Sequence, residues 1–155
     1  MAKRKLYTYP RTKSKSLEIG QADEHVIRIV AYFTAWIASA GLIANAPYPF
    51  LFLAVDFTVR AFGAQRFSLL KLLAEQTAFL FRVPVRPVYA ASKRFAASLG
   101  LLFSLSVAGF EFAGWQLTAN TVGGILIACA LLESLFGICI GCYVYSFLQK
   151  FRYRS

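Results

Sequence analysis

The groups in this chain that could do chemistry are three cysteines and a few charged residues set inside apolar sequence. Cys139 and Cys142 form a CxxC pair within "ESLFGICIGCYVYSFLQK". On a continuous α-helix, residues three apart are separated by about 60° around the axis, so the two thiols are expected on one face. Such a pair can close a disulfide, handle sulfur, or hold one soft metal ion. It supplies only half of a four-ligand zinc site. The single histidine, His25, is remote in sequence and reads as an interfacial residue. The competing reading makes the pair small, mildly apolar packing residues, and Cys129 is read that way.

Reactivity requires a thiolate, and burial in an apolar medium raises a thiol pKa unless a cation opposes it. Arg60 is the candidate cation, with Asp56 one turn away on the same helical face to orient it. An ion pair inside a membrane segment is a functional-site hypothesis by default. The competing reading is a salt bridge that only neutralises both charges. Glu133 is the other charge within the apolar sequence. Nine residues separate it from Cys142, which on one helix means roughly opposite faces and about 13 Å along the axis. Glu133 is therefore expected to face the bundle interior, paired with an arginine or protonated, or to line a path with Glu111.

These residues need elements to hold them, and the composition says which. Of 155 residues, 58% are hydrophobic and 15% charged, whereas a soluble domain is about a quarter charged. A bilayer core of about 30 Å takes roughly 20 helical residues. Apolar blocks at about 26–44, 48–63, 95–116 and 121–148 are expected to be four transmembrane helices. The second is short and carries Asp56 and Arg60, so a re-entrant or interfacial hairpin is its alternative. The loops "NAPYP" and "QLTAN" are tight reversals. "RFSLLKLLAEQTAFLFR", about 66–82, reads as an amphipathic interfacial helix with Lys71 and Glu75 on one face. Pro84 and Pro87 end it, and Ser92 is the expected N-cap of the third span. Asp23 and Glu24 stand at the start of the first. The fold class is thus all-α and polytopic: a basic arm over residues 1–20, then a membrane domain over 21–155.

Six of the 17 Lys and Arg lie in the arm, seven between Arg60 and Arg94, three in the tail, and one is Arg28. The reversals after the first and third spans have none. Lys and Arg accumulate on the cytoplasmic side, which puts both termini and the central loop there. The net charge of +10 is then explained by anionic lipid headgroups, with no nucleic acid as partner.

The segments "DEHVIRIVA" (Asp23, Glu24, Arg28), "VDFTVRAF" (Asp56, Arg60), "SKRFAASLGLLFSL" (Lys93, Arg94, Phe95, Gly100) and "LLESLFGICIGCYVYSF" (Glu133, Cys139, Cys142, Tyr145) occur in this order. Together they resemble a bacterial integral-membrane family, domain of unknown function 4395. The resemblance implies a four-helix protein of the inner membrane, with the CxxC of the last helix as part of its signature. Relatives often carry a proline at the position of Ser92 and a cysteine upstream of the acidic pair, and this sequence has neither. The expected function is a thiol–disulfide or sulfur-handling membrane protein. Cys139 and Cys142 would be its catalytic pair, and Asp56, Arg60, Glu133, Arg28 and Arg94 its supporting polar groups. Expected partners are a thioredoxin-like or sulfurtransferase protein, with a quinone or a soft metal at the pair as the cofactor alternatives to none. The second functional reading is a non-enzymatic small transporter or membrane assembly subunit with a polar interior.

Overall fold

The structure, a computed structural model, describes residues 21–64, 67–82 and 87–154; the basic arm over 1–20 lies outside the described residues. Six helices follow in order: α1 Glu24–Ala44, α2 Tyr48–Ala61, α3 Leu69–Leu80, α4 Ala90–Phe112, α5 Gln116–Phe136 and α6 Ile140–Arg152. A three-residue strand precedes α1 (β1, Gln21–Asp23) and another precedes α4 (β2, Pro87–Tyr89). They pair antiparallel, Ala22 opposite Val88. No sequence pattern announces strands this short, yet their pairing has a large consequence. It ties the starts of α1 and α4 side by side, so both helices leave from one end of the bundle.

Local chemistry sets the helix ends. The Asp23 carboxylate accepts from the His25 backbone N–H at 3.1 Å, capping α1 as its position in the sequence implies. Asn45, with φ 47°, stops α1 in the left-handed conformation. Pro49 then starts α2 within its first turn. Gly114, with φ 75°, reverses the chain between α4 and α5.

Packing uses close backbone approach. The buried face of α1 is rich in small residues (Ala31, Ala35, Ala38, Gly41), the pattern that lets apolar helices meet where no water drives them together. α1 packs on α2, α3 and α5, and α4 packs on α2, α5 and α6. Phe57 of α2 lies on Gly100 of α4, where an added Cβ would stand 2.7 Å from the ring. Leu70, Ala74 and Ala78 form the buried stripe of α3. Outward faces stay apolar, with Trp36, Ile43, Val55, Leu102 and Leu117 all exposed.

Among the described residues, three helices, α1, α4 and α5, are long and apolar enough to cross a membrane. The 14 residues of α2 rise only about 21 Å, short of a hydrocarbon core of about 30 Å. The Lys71–Glu75 pair expected on the 66–82 segment forms, at 3.6 Å. Two local expectations need correcting. Ser92 is not a cap, because α4 already starts at Ala90. The apolar block over 121–148 is also not one helix. It breaks at Gly137, where φ is 68°, and resumes as α6.

Candidate thiol site at the basic end of the bundle

The break after α5 creates the site. Gly137 donates its N–H to the Glu133 carbonyl at 3.0 Å, and Ile138 donates to the Leu132 carbonyl at 3.4 Å. A side chain at Gly137 would be strained by its positive φ and would meet a Glu24 carboxylate oxygen at 3.3 Å. Arg28 of α1 secures this end from outside. Its Nε donates to the Ser134 carbonyl at 3.0 Å and its second terminal nitrogen to the Leu135 carbonyl at 2.8 Å. A cation on the last carbonyls also matches the negative end of the helix dipole.

Cys139 is consequently the N-cap of α6, and its carbonyl accepts from Cys142 and Tyr143 at 3.0 and 3.2 Å. The CxxC pair occupies the first turn of a helix rather than the middle of one, at the positive dipole end that favours thiolates. Gly141 sets the docking of that turn: a Cβ there would lie 2.8 Å from the Ala96 backbone. The first turn of α6 is thus pressed on the second turn of α4, one turn from Ser92 and Lys93, which reach the thiols.

The two cysteines are not equivalent. Cys139 is buried and Cys142 half-buried, and the thiols hydrogen-bond each other. Cys142 is pulled down to about 6, first by that bond from Cys139, then by the Lys93 ammonium and the Ser92 hydroxyl, against the opposing effects of burial and Glu133. Cys139 is pushed up by the same bond, by burial and by the Glu133 carboxylate.

Lys93 Nζ and Glu133 Oε1 form an ion pair at 2.7 Å. The expectation that Glu133 stands on the far face from the pair fails, because it assumed an unbroken helix through residue 137. Its partner is a lysine and not an arginine. Glu111 does not join it. Glu111 accepts from Gln116 Nε2 at 3.0 Å at the opposite end of the α4–α5 hairpin. Seventeen residues of α5 separate residue 116 from Glu133, about 25 Å along the axis.

Arg60 ends α2 at the same end of the bundle. It lies over the Phe57 ring at 5.4 Å to the centroid, and its ion pair with Asp56 spans 3.9 Å. The other oxygen of Asp56 anchors the start of α3, accepting from the Ser68 hydroxyl at 2.8 Å and the Leu70 N–H at 3.3 Å. Arg94 folds over Gly63 in the turn after α2. Beside Cys139 lies a cavity of about 110 Å³, with Arg60, Lys93, Glu133, Cys129, Cys139 and Thr34 in a wall that is otherwise apolar. Arg28, Asp56, Arg94 and Cys142 are outside that wall. Among the described residues, no three His, Cys, Asp or Glu side chains gather as metal ligands.

The family model for domain of unknown function 4395 matches residues 22–150, which include every one of these groups. The chain belongs to that family. No curated protein and no solved structure matches it. Within this family member, Lys93, a landmark of the third motif, and Ser92, expected as a cap, were not expected at the thiols. A signal for Lys93 existed: folding the α4–α5 hairpin about Gly114 sets position 93 opposite about position 135, one turn from both Glu133 and Cys139.

Proposed function

We propose that this family member is a membrane-embedded thiol–disulfide exchange protein in which Cys142 is the attacking sulfur and Cys139 the resolving one. The observation that carries the reading is the asymmetry of the pair. Cys139 is buried, whereas Cys142 is half-buried on the first turn of a helix, where Cys139, through its hydrogen bond, and then Lys93 and Ser92 pull its thiol below the usual range. A partner disulfide is opened when the Cys142 thiolate attacks one sulfur, forming a mixed disulfide and expelling the other sulfur as a thiolate. Cys139 then loses its proton, for which Glu133 in the same cavity wall is the nearby carboxylate. It attacks the Cys142 sulfur, closes the Cys139–Cys142 disulfide and releases the second partner thiolate. Run backwards, the oxidised pair accepts electrons from a partner dithiol, again at Cys142. The partner class this chemistry fits is a soluble thioredoxin-like or sulfurtransferase protein.

In this reading α1, α2, α4 and α5 make four crossings, with α3, α6 and both termini at the cytoplasmic face. Two observations support it. The β1–β2 pairing starts α1 and α4 from the same end, so the chain between them has to come back, and α2, whose Arg60 shares a cavity wall with Lys93, is the stretch that does so. Lys and Arg are also concentrated at that end.

Cys139→Ser should trap mixed disulfides through Cys142, whereas Cys142→Ser should trap far less. The wild-type pair should also equilibrate with dithiothreitol at a defined midpoint potential. A pair that never oxidises in such buffers refutes the reading. Reporter tags that place the C-terminus outside the cell refute the topology.

A further inference from the structure

The cavity beside Cys139 has a composition that the exchange reaction with a soluble protein does not use. Its wall combines aromatic and aliphatic side chains (Phe57, Phe103, Leu126) with Arg60 and Cys139. The nearest carboxylate oxygen to Arg60, on Asp56, is 3.9 Å away, beyond hydrogen-bonding distance, so Arg60 has N–H groups to offer a ligand oxygen. The charges around the cavity cancel: Arg60 and Lys93 face Asp56 and Glu133. A neutral ligand with an oxygen acceptor therefore fits better than an anion. An apolar cavity of about 150 Å³ accepts one benzene ring. At about 110 Å³ this one is smaller, and takes the carbonyl edge of a ring whose substituted remainder lies in the opening.

We propose that this cavity is a quinone site, at which a lipid-soluble quinone takes the electrons of the Cys139–Cys142 dithiol, one carbonyl oxygen held by Arg60. The inference rests on the exchange reading and names the electron acceptor for that same pair. The step balances. The Cys142 thiolate and the Cys139 thiol give up two electrons and one proton as one S–S bond forms, and the quinone takes these with a second proton from water, so that both its carbonyls become hydroxyls. Cys139 faces the cavity and Cys142 faces outward, so the pair connects a ligand dissolved in the bilayer to a protein in the water. Only Cys142 need meet that protein, which fits the burial of Cys139.

The test uses the full chain in nanodiscs, reduced with dithiothreitol, desalted and kept anaerobic. The probe is a short-tailed benzoquinone with every ring carbon substituted, so that thiols do not add at an open position. The expected result is one hydroquinone per Cys139–Cys142 disulfide, read by quinone absorbance and by thiol alkylation. Arg60→Gln should raise the quinone KM about tenfold or more, the scale of a hydrogen bond from a charged donor, with a smaller change in kcat. Ala130→Leu, which fills the cavity from the α5 side, should slow quinone reduction strongly. Should a variant fail to fold, a wild-type rate that saturates with quinone concentration supports the site, and a strictly linear dependence overturns it. Protein that equilibrates with dithiothreitol but reduces no quinone overturns this inference and leaves thiol exchange standing. Protein that does neither overturns both. Quinone reduction that proceeds equally well in folded Arg60→Gln and Ala130→Leu places the site elsewhere and also overturns it.

Discussion

Lys93 provides the sharpest test of how the site is assembled, because its charge reaches Cys142 from a helix that begins some fifty residues earlier in the chain. With Cys142 at about 6, about nine-tenths of it is thiolate at pH 7, against about one-hundredth for a thiol at the ordinary 9.0. Replacing Lys93 by methionine removes an opposite charge of the kind that shifts a neighbour by one to three pH units. A shift of about two moves the midpoint to about 8 and cuts the thiolate at pH 7 roughly tenfold. The remaining thiolate is more basic, and with a Brønsted slope of about 0.45 it attacks a disulfide about eightfold faster. The two effects nearly cancel, so the rate at pH 7 should change less than about twofold. The information lies in the profile. Between pH 4.5 and 9.5, the rate with a dipyridyl disulfide should rise through a midpoint near 6 in the parent. In Lys93→Met it should rise near 8, to a plateau about eightfold higher. A Cys129→Ala background removes the third thiol. Glu133→Gln should move the midpoint the other way, below 6, because the Glu133 carboxylate opposes the thiolate and its loss frees Lys93. If the two variants shift the profile in the same direction, or Lys93→Met does not shift it, the electrostatic account of Cys142 is wrong.

Three further outcomes concern the scaffold. Gly137→Ala puts a β-carbon where φ is 68° and 3.3 Å from a Glu24 oxygen; it should cost about 1–2 kcal/mol, read as a lower melting midpoint in detergent. Arg28→Ala deletes both hydrogen bonds to the end of α5 and should cost about 1–3 kcal/mol. Hydrogen exchange should accelerate around residues 134–139 before anywhere else in the bundle, and uniform acceleration would contradict the capping role. Ser68→Ala removes the α3 cap and one hydrogen bond to Asp56, a loss of about 1–2 kcal/mol, with proteolysis near residue 68 as the readout.

How much of this is legible in the sequence depends on the range of the interaction. The apolar runs, the two tight reversals, the crowding of Lys and Arg at one end, and the Lys71–Glu75 pair all follow from neighbours within a turn or two, and each is plain in the string of residues. So is the presence of a CxxC pair near the basic end. Its geometry is not. A hydropathy run measures how greasy a segment is and says nothing about whether its backbone continues. The run over 121–148 therefore conceals the turn at Gly137. That turn exists because groups from elsewhere hold it: Arg28 on the freed carbonyls of α5, Glu24 beside the glycine, and Gly141 pressed on Ala96 of α4. Once α6 starts afresh there, Cys139 becomes a cap, Cys142 gains Lys93 and Ser92, and Glu133 joins the same cavity. Residue types and rough depths are written along the chain. The pairing of a lysine at 93 with a carboxylate at 133 and a thiolate at 142 arises only where three helix ends meet, since charge and donor distance are set by packing and not by spacing in sequence.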